Sequence, residues 1–113
     1  MTTEEKYTDY LTKFIKLNNL EKPLNGSGSS LNSACTAIAG FSLYLELILL
    51  EELPKLSSDD ITSIIKNNFV TSNLFDREFY NVYFTATIRD YEDWWIDEDN
   101  RSYYDLSFIE ELN

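Results

Sequence analysis

A chain of 113 residues with 43 % hydrophobic residues is long enough for one compact domain with its own core. Its 20 acidic and nine basic residues give a net charge of −11, which disfavours binding to nucleic acid or an anionic membrane and favours a basic protein partner. We expect a single domain, residues 1–113. One cysteine excludes an internal disulfide and no signal-peptide pattern opens the chain, so a reducing cytoplasm is the expected compartment.

The first predicted element is an amphipathic helix at the N-terminus. The stretch "TTEEKYTDYLTKFIKLNN" begins with Thr2 and Glu5 at the spacing of a capping box. Apolar side chains then recur at helical intervals, at Tyr7, Tyr10, Leu11, Phe14 and Ile15. A loop over about residues 19–29 follows, because Pro23 and two glycines break the helical pattern.

Two more helices are predicted before residue 70. The second runs from about Ser30 to Leu53 and stops before Pro54, with apolar side chains at Leu31, Ala34, Cys35, Ile38, Phe41, Leu45 and Ile48. The third covers about residues 57–69, starts at a serine cap with acidic residues in its first turn, and buries Ile61, Ile64, Ile65 and Phe69.

The longest apolar run, residues 34–50, approaches the length of a membrane span. It contains Glu46, however, and Glu51 and Glu52 follow it directly. A central helix that is buried on most sides is therefore preferred, and no contact with a membrane is expected.

From Phe79 onward the pattern predicts strands instead of helices. The stretch "FYNVYFTATI" (79–88) is rich in aromatic and β-branched residues and alternates two faces. "EDWWID" and "SYYDLSF" predict two more strands around the turn "DEDN", although the ending "DLSFIEEL" also suits a short helix. The predicted fold is α+β, with three N-terminal helices packed on a small C-terminal antiparallel sheet of about three strands.

The negative charge is concentrated at the C-terminal end of the chain. The last 24 residues contain nine acidic residues and only one basic residue, together with most of the aromatic residues that follow the predicted helices. A solvated sheet edge that resists aggregation is one interpretation. The other is an interaction surface, in which aromatic anchors are surrounded by carboxylates that pair with lysine and arginine of a partner.

The second interpretation predicts a set of partner-binding residues. A basic partner would relieve the repulsion among these carboxylates, and a groove that normally holds phosphates is such a partner. The predicted contact residues are Asp90, Glu92, Asp93, Trp94, Trp95, Asp97, Glu98, Asp99, Tyr103, Tyr104 and Asp105.

The sequence lacks the patterns of catalytic and metal sites. There is no histidine, which removes the usual general base and the commonest zinc ligand. Cys35 stands among small apolar residues that favour a buried structural role, and "NGSGSS" lacks the Lys-Ser/Thr ending of a phosphate-binding loop. "DEDNRSYYD" has Arg101 where a calcium loop needs an oxygen ligand. We therefore predict no enzyme activity, no metal and no cofactor.

In size and charge the chain resembles the small acidic inhibitors of phages and mobile elements, such as anti-CRISPR and anti-restriction proteins, some of which imitate DNA. That resemblance implies a stoichiometric inhibitor that blocks the basic nucleic-acid-binding site of a defence nuclease. Two alternatives remain open from the sequence. One is an immunity protein that neutralises a bacterial nuclease toxin, and the other is a structural module that associates with itself through its aromatic residues.

Overall fold

Helices make up the fold in a computed structural model that describes residues 2–49, 56–85 and 93–112. The longer helices are α1 (Thr3–Leu17), α3 (Ser29–Leu49), α4 (Ser58–Asn68) and α5 (Phe75–Thr85). A short helix, α2 (Glu21–Leu24), lies between α1 and α3. Residues 93–96 and Glu98–Arg101 form single helical turns, and Ser107–Leu112 forms a 3-10 helix. We call residues 93–112 the C-terminal segment.

The predicted α+β fold is wrong, because no strand occurs within the three described stretches. The helical prediction for the N-terminal half is confirmed, although the predicted loop over residues 19–29 contains the short helix α2. Some predictions fall outside the described residues. These are the end of the second helix at Leu53, the strand residues 86–88, and the contact residues Asp90 and Glu92.

The stretch predicted as the first strand belongs to helix α5. The helix begins at Phe75, four residues before the alternating pattern starts, and its buried side chains recur at helical intervals, at Phe75, Phe79, Val82 and Tyr83. The rings of Phe75, Phe79 and Tyr83 stack in sequence with centroids 5.5 Å apart. Packing along α3 therefore outweighs the preference of aromatic and β-branched residues for strands.

The two other predicted strands are also replaced by helical turns. Asp97 caps the turn Glu98–Arg101, since its carboxylate accepts a hydrogen bond from the amide of Asp99 at 2.9 Å. The acidic residues predicted as a hairpin turn thus begin a helix. The alternative prediction of a short helix at the chain's end agrees with the 3-10 helix there.

Both ends of α1 are closed by local hydrogen bonds. The hydroxyl of Thr2 accepts from the amide of Glu5 at 3.1 Å, at the predicted cap. At the other end, Asn19 has a left-handed backbone with φ 57°, and the amide of Leu20 donates to the carbonyl of Ile15 at 2.9 Å. This Schellman closure places the side chain of Asn18 beside the C-terminal segment.

Helix α3 forms the centre of the core and packs against α1, α2 and α5. The rings of Phe14 in α1 and Phe41 in α3 stack with centroids 4.1 Å apart and an angle of 6° between planes. Helix α4 begins at the predicted serine, where Ser57 and Asp60 form a capping box with two hydrogen bonds of 3.1 Å. Among the described residues, no helix combines the length and the apolar character that crossing a membrane requires.

A buried carboxylate lies in the core near two buried tyrosines. Glu46 of α3 is buried, as are Tyr7 of α1 and Tyr83 of α5. Burial raises the pKa of each tyrosine to about 12, and the charge of Glu46 contributes in the same direction. Both hydroxyls therefore stay protonated at neutral pH.

Cys35 is expected to resist thiol reagents while the protein is folded. Its side chain is fully buried, and burial, followed by the charge of Glu78, raises the pKa of the thiol to about 12. Labelling with iodoacetamide should proceed only after denaturant is added, with mass spectrometry counting the adducts. Complete labelling of the native protein within minutes would contradict the buried position.

Candidate partner-binding surface

Trp95 attaches the C-terminal segment to the core. Its side chain is only 3 % exposed. The indole stacks on Tyr104 with centroids 5.3 Å apart and 13° between planes, and on Tyr44 of α3 at 5.7 Å and 26°. It also contacts Phe14 and Phe41 at centroid distances of 6.1 and 6.2 Å. Trp95 therefore supports the surface from beneath and is not itself accessible to a partner.

The indole of Trp95 can approach α3 because residue 40 is glycine. A methyl group added at Gly40 would lie 2.9 Å from Cδ1 and 3.0 Å from Cε2 of Trp95, and closer still to Nε1. These distances are shorter than carbon atoms tolerate without displacement. Because Gly40 has no side chain, the indole of Trp95 can lie against the backbone of α3.

Arg101 is turned toward the protein interior. Its Nη1 donates to the carbonyl oxygens of Trp95 and Ile96, the latter at 2.8 Å, and the guanidinium lies 5.1 Å from the ring centroid of Tyr44. The side-chain Nδ2 of Asn100 donates to the carbonyl of Trp94 at 3.1 Å. Both side chains close the carboxyl end of the helical turn 93–96, so that the only basic group of the C-terminal segment is engaged in its folding.

A second attachment joins the C-terminal segment to the end of α1. The amide of Asp105 donates to Oδ1 of Asn18 at 2.7 Å, and Nδ2 of Asn18 donates to the carbonyl of Asp105 at 3.2 Å. One asparagine side chain therefore satisfies both backbone groups of a residue 87 positions away. The backbone between Trp95 and Asp105 is held at both ends.

Five carboxylates of the C-terminal segment are exposed, those of Asp93, Asp97, Glu98, Asp99 and Asp105. Among the predicted contact residues, the exposed ones are Asp93, Asp97, Glu98, Asp99, Tyr103 and Asp105. Hydrogen bonds from the hydroxyl and the amide of Ser107 lower the pKa of Asp105, which therefore remains ionised at neutral pH. Trp94 and Tyr104 are partly buried.

Two apolar side chains stand out among these carboxylates. Tyr103 is 80 % exposed and Ile96 is 57 % exposed. Ile96 was not among the predicted contact residues. We call the exposed side chains of Asp93, Ile96, Asp97, Glu98, Asp99, Tyr103 and Asp105 the acidic surface.

A cleft of about 350 Å³ borders the acidic surface. Tyr44, Arg101 and Leu106 line it, with Glu98 at its acidic side. In the part of the chain that the structure describes, the acidic surface included, no three acidic or cysteine side chains come close enough together to hold a metal ion. The acidic surface is therefore the feature from which function is best argued.

Comparison of the chain with protein-family models, curated proteins and solved structures gives no significant match.

Proposed function

We propose that this protein is a non-enzymatic inhibitor that uses its acidic surface to block the basic nucleic-acid-binding site of a defence nuclease. The observation that carries this proposal is the composition of the acidic surface. Five exposed carboxylates accompany two exposed apolar side chains, while the only basic residue of the C-terminal segment points inward. Apolar anchors within a charged rim are typical of protein contacts.

Electrostatics favours a basic partner over any other. Five exposed carboxylates on one short segment concentrate like charge, and charges closer than the Debye length of about 8 Å at physiological salt repel one another. A partner groove lined by lysine and arginine removes that repulsion on binding and attracts the surface from a distance. The net charge of −11 acts in the same direction.

Self-association through the acidic surface is disfavoured by the same charges. Symmetric dimers bring the same patch of two copies together, which would place carboxylates of one copy opposite those of the other. Like charges across an interface are destabilising. The acidic surface therefore suits a different, basic protein better than a second copy of this chain.

A capture experiment tests the proposal. The immobilised protein is incubated with lysate of the organism that carries the gene, and captured proteins are identified by mass spectrometry. We expect a basic nuclease or effector complex, whose nucleic-acid binding falls to zero at one equivalent of inhibitor. Capture of a nuclease whose activity is unaffected at excess inhibitor would refute the proposal, and a captured toxin would indicate an immunity protein instead.

The purified protein itself is expected not to bind nucleic acid. Its exposed carboxylates and its net charge of −11 oppose association with a polyanion at physiological salt. Fluorescence anisotropy with labelled duplex DNA and RNA should show no change up to micromolar protein. A submicromolar dissociation constant for either would exclude imitation of nucleic acid.

A further inference from the structure

Tyr103 is an exposed aromatic ring on a fixed backbone. Its side chain is 80 % exposed, whereas its backbone amide donates to the carbonyl of Asn100 at 3.2 Å. The next residue, Tyr104, is held by a hydrogen bond from its amide to the carbonyl of Arg101 at 3.0 Å and by stacking on Trp95. The ring of Tyr103 therefore projects into solvent from a segment attached on both sides.

Such a ring is well suited to insert into a partner. Tyrosine has few rotatable bonds and is frequent among the residues that dominate binding energy. A fixed backbone reduces the conformational entropy that is lost when the ring becomes buried. The other large aromatic side chains described in this chain are buried or partly buried, so the exposure of Tyr103 is not a general property of its surface.

The neighbours of Tyr103 define the chemistry of that partner. Exposed carboxylates precede and follow it, at Asp99 and Asp105, on one continuous chain. A splayed base between two phosphates on one strand presents the same succession of charge, ring and charge. Duplex DNA differs, since it encloses its base faces between two rows of phosphates.

We infer that the partner's site is a groove that binds single-stranded nucleic acid, and that Tyr103 occupies the position of a base stacked on an aromatic side chain of that groove. This inference rests on the proposed function and adds which form of nucleic acid the partner's site binds. Grooves of this class combine basic residues that follow the backbone with aromatic platforms that stack any base. The exposed carboxylates of this protein pair with the basic residues of the groove, and the phenol ring of Tyr103 stacks on its aromatic platform.

The test begins with two fractions of lysate from the organism that carries the gene, eluted from single-stranded DNA–cellulose and from duplex DNA–cellulose. Each fraction is passed over the immobilised protein. Bound protein is then challenged with oligothymidylate or with a duplex of equal phosphate concentration. We expect capture from the single-strand fraction and release by oligothymidylate, with the duplex at least tenfold less effective.

Variants of Tyr103 test whether binding that oligothymidylate reverses depends on the aromatic ring of this residue. Tyr103→Ala is expected to weaken binding of the captured protein by about 5- to 150-fold, the range found for loss of one base–aromatic stack. Tyr103→Phe retains the ring and should stay within about threefold of wild type. Leu74→Ala removes another exposed apolar side chain, outside the C-terminal segment, and should have no effect.

The outcomes separate this inference from the proposed function. Capture from the duplex fraction with release only by duplex, or equal losses for Tyr103→Phe and Tyr103→Ala, would overturn the single-strand inference and leave the proposed function intact. Absence of capture from both fractions, or release by neither nucleic acid, would overturn the proposed function as well.

Discussion

Trp95→Ala is expected to lower the free energy of unfolding by about 3–5 kcal/mol, the range for removing a large buried aromatic side chain. The indole is 3 % exposed and contacts rings from α1, α3 and the C-terminal segment. Its loss would leave a cavity that Tyr44 and Tyr104 cannot both fill. Urea unfolding followed by far-UV circular dichroism measures the change.

Trp94→Ala is the matched control for this prediction. Trp94 is partly buried and contacts Trp95 and Tyr104 by ring edges, at centroid distances of 5.4 and 6.0 Å. A smaller loss, of roughly 1–2 kcal/mol, is expected because less apolar area leaves water on folding. Equal losses for the two variants would contradict the central position assigned to Trp95.

Gly40→Ala tests the same contact from the side of α3. Alanine in place of glycine normally stabilises a helix by about 1 kcal/mol. Here the added methyl group would displace the indole of Trp95, so we expect a net loss of roughly 1–3 kcal/mol. In a Trp95→Ala background the displacement disappears, and the same substitution should become neutral or stabilising. An unchanged sign in that background would show that the two residues are not coupled.

Neutralising four of the five carboxylates of the acidic surface is expected to slow association with the captured partner by roughly 10- to 100-fold at low ionic strength. The variant combines Asp93→Asn, Asp97→Asn, Glu98→Gln and Asp99→Asn. Asparagine caps helices as well as aspartate does, so the turn that begins at Asp97 should persist. Stability should change little, because asparagine and glutamine keep a side-chain oxygen that can accept a hydrogen bond at each position.

The measurement is the association rate constant against ionic strength, by surface plasmon resonance or stopped flow. Wild type should show a steep fall with added salt and the variant a shallow one, while dissociation rates change less. A control variant removes the same number of charges elsewhere, with Glu4→Gln, Glu5→Gln, Glu21→Gln and Asp59→Asn on α1, α2 and α4. If the association rate constant falls equally for both variants, then association depends on the net charge of the protein and not on the acidic surface.

Much of the N-terminal half was predictable from local sequence. The caps at Thr2 and Ser57 and the apolar periods of α1 and α4 agree with the structure, because a helix start depends on side chains within three or four residues of each other. The concentration of carboxylates near the C-terminus was also visible, since charge needs only to be counted.

Helix α5 and the C-terminal segment were not predictable in the same way. A short aromatic run such as residues 79–85 fits both the two-residue period of a strand and the 3.6-residue period of a helix. Which of the two structures forms depends on the surface against which the run packs. In this fold that surface is α3, and Phe75, which precedes the alternating run, completes the helical face.

The sequence by itself therefore determined the caps, the first helices and the sign and place of the charge, because these depend on near neighbours. Only the tertiary structure decided that Trp95 is buried while Tyr103 is exposed. Gly40, against which the indole lies, and Asn18, which exchanges two hydrogen bonds with the backbone of Asp105, are far from both residues along the chain. It also decided that Arg101 points inward to backbone carbonyls, because that orientation requires a helical turn at residues 93–96 and the ring of Tyr44 beside it.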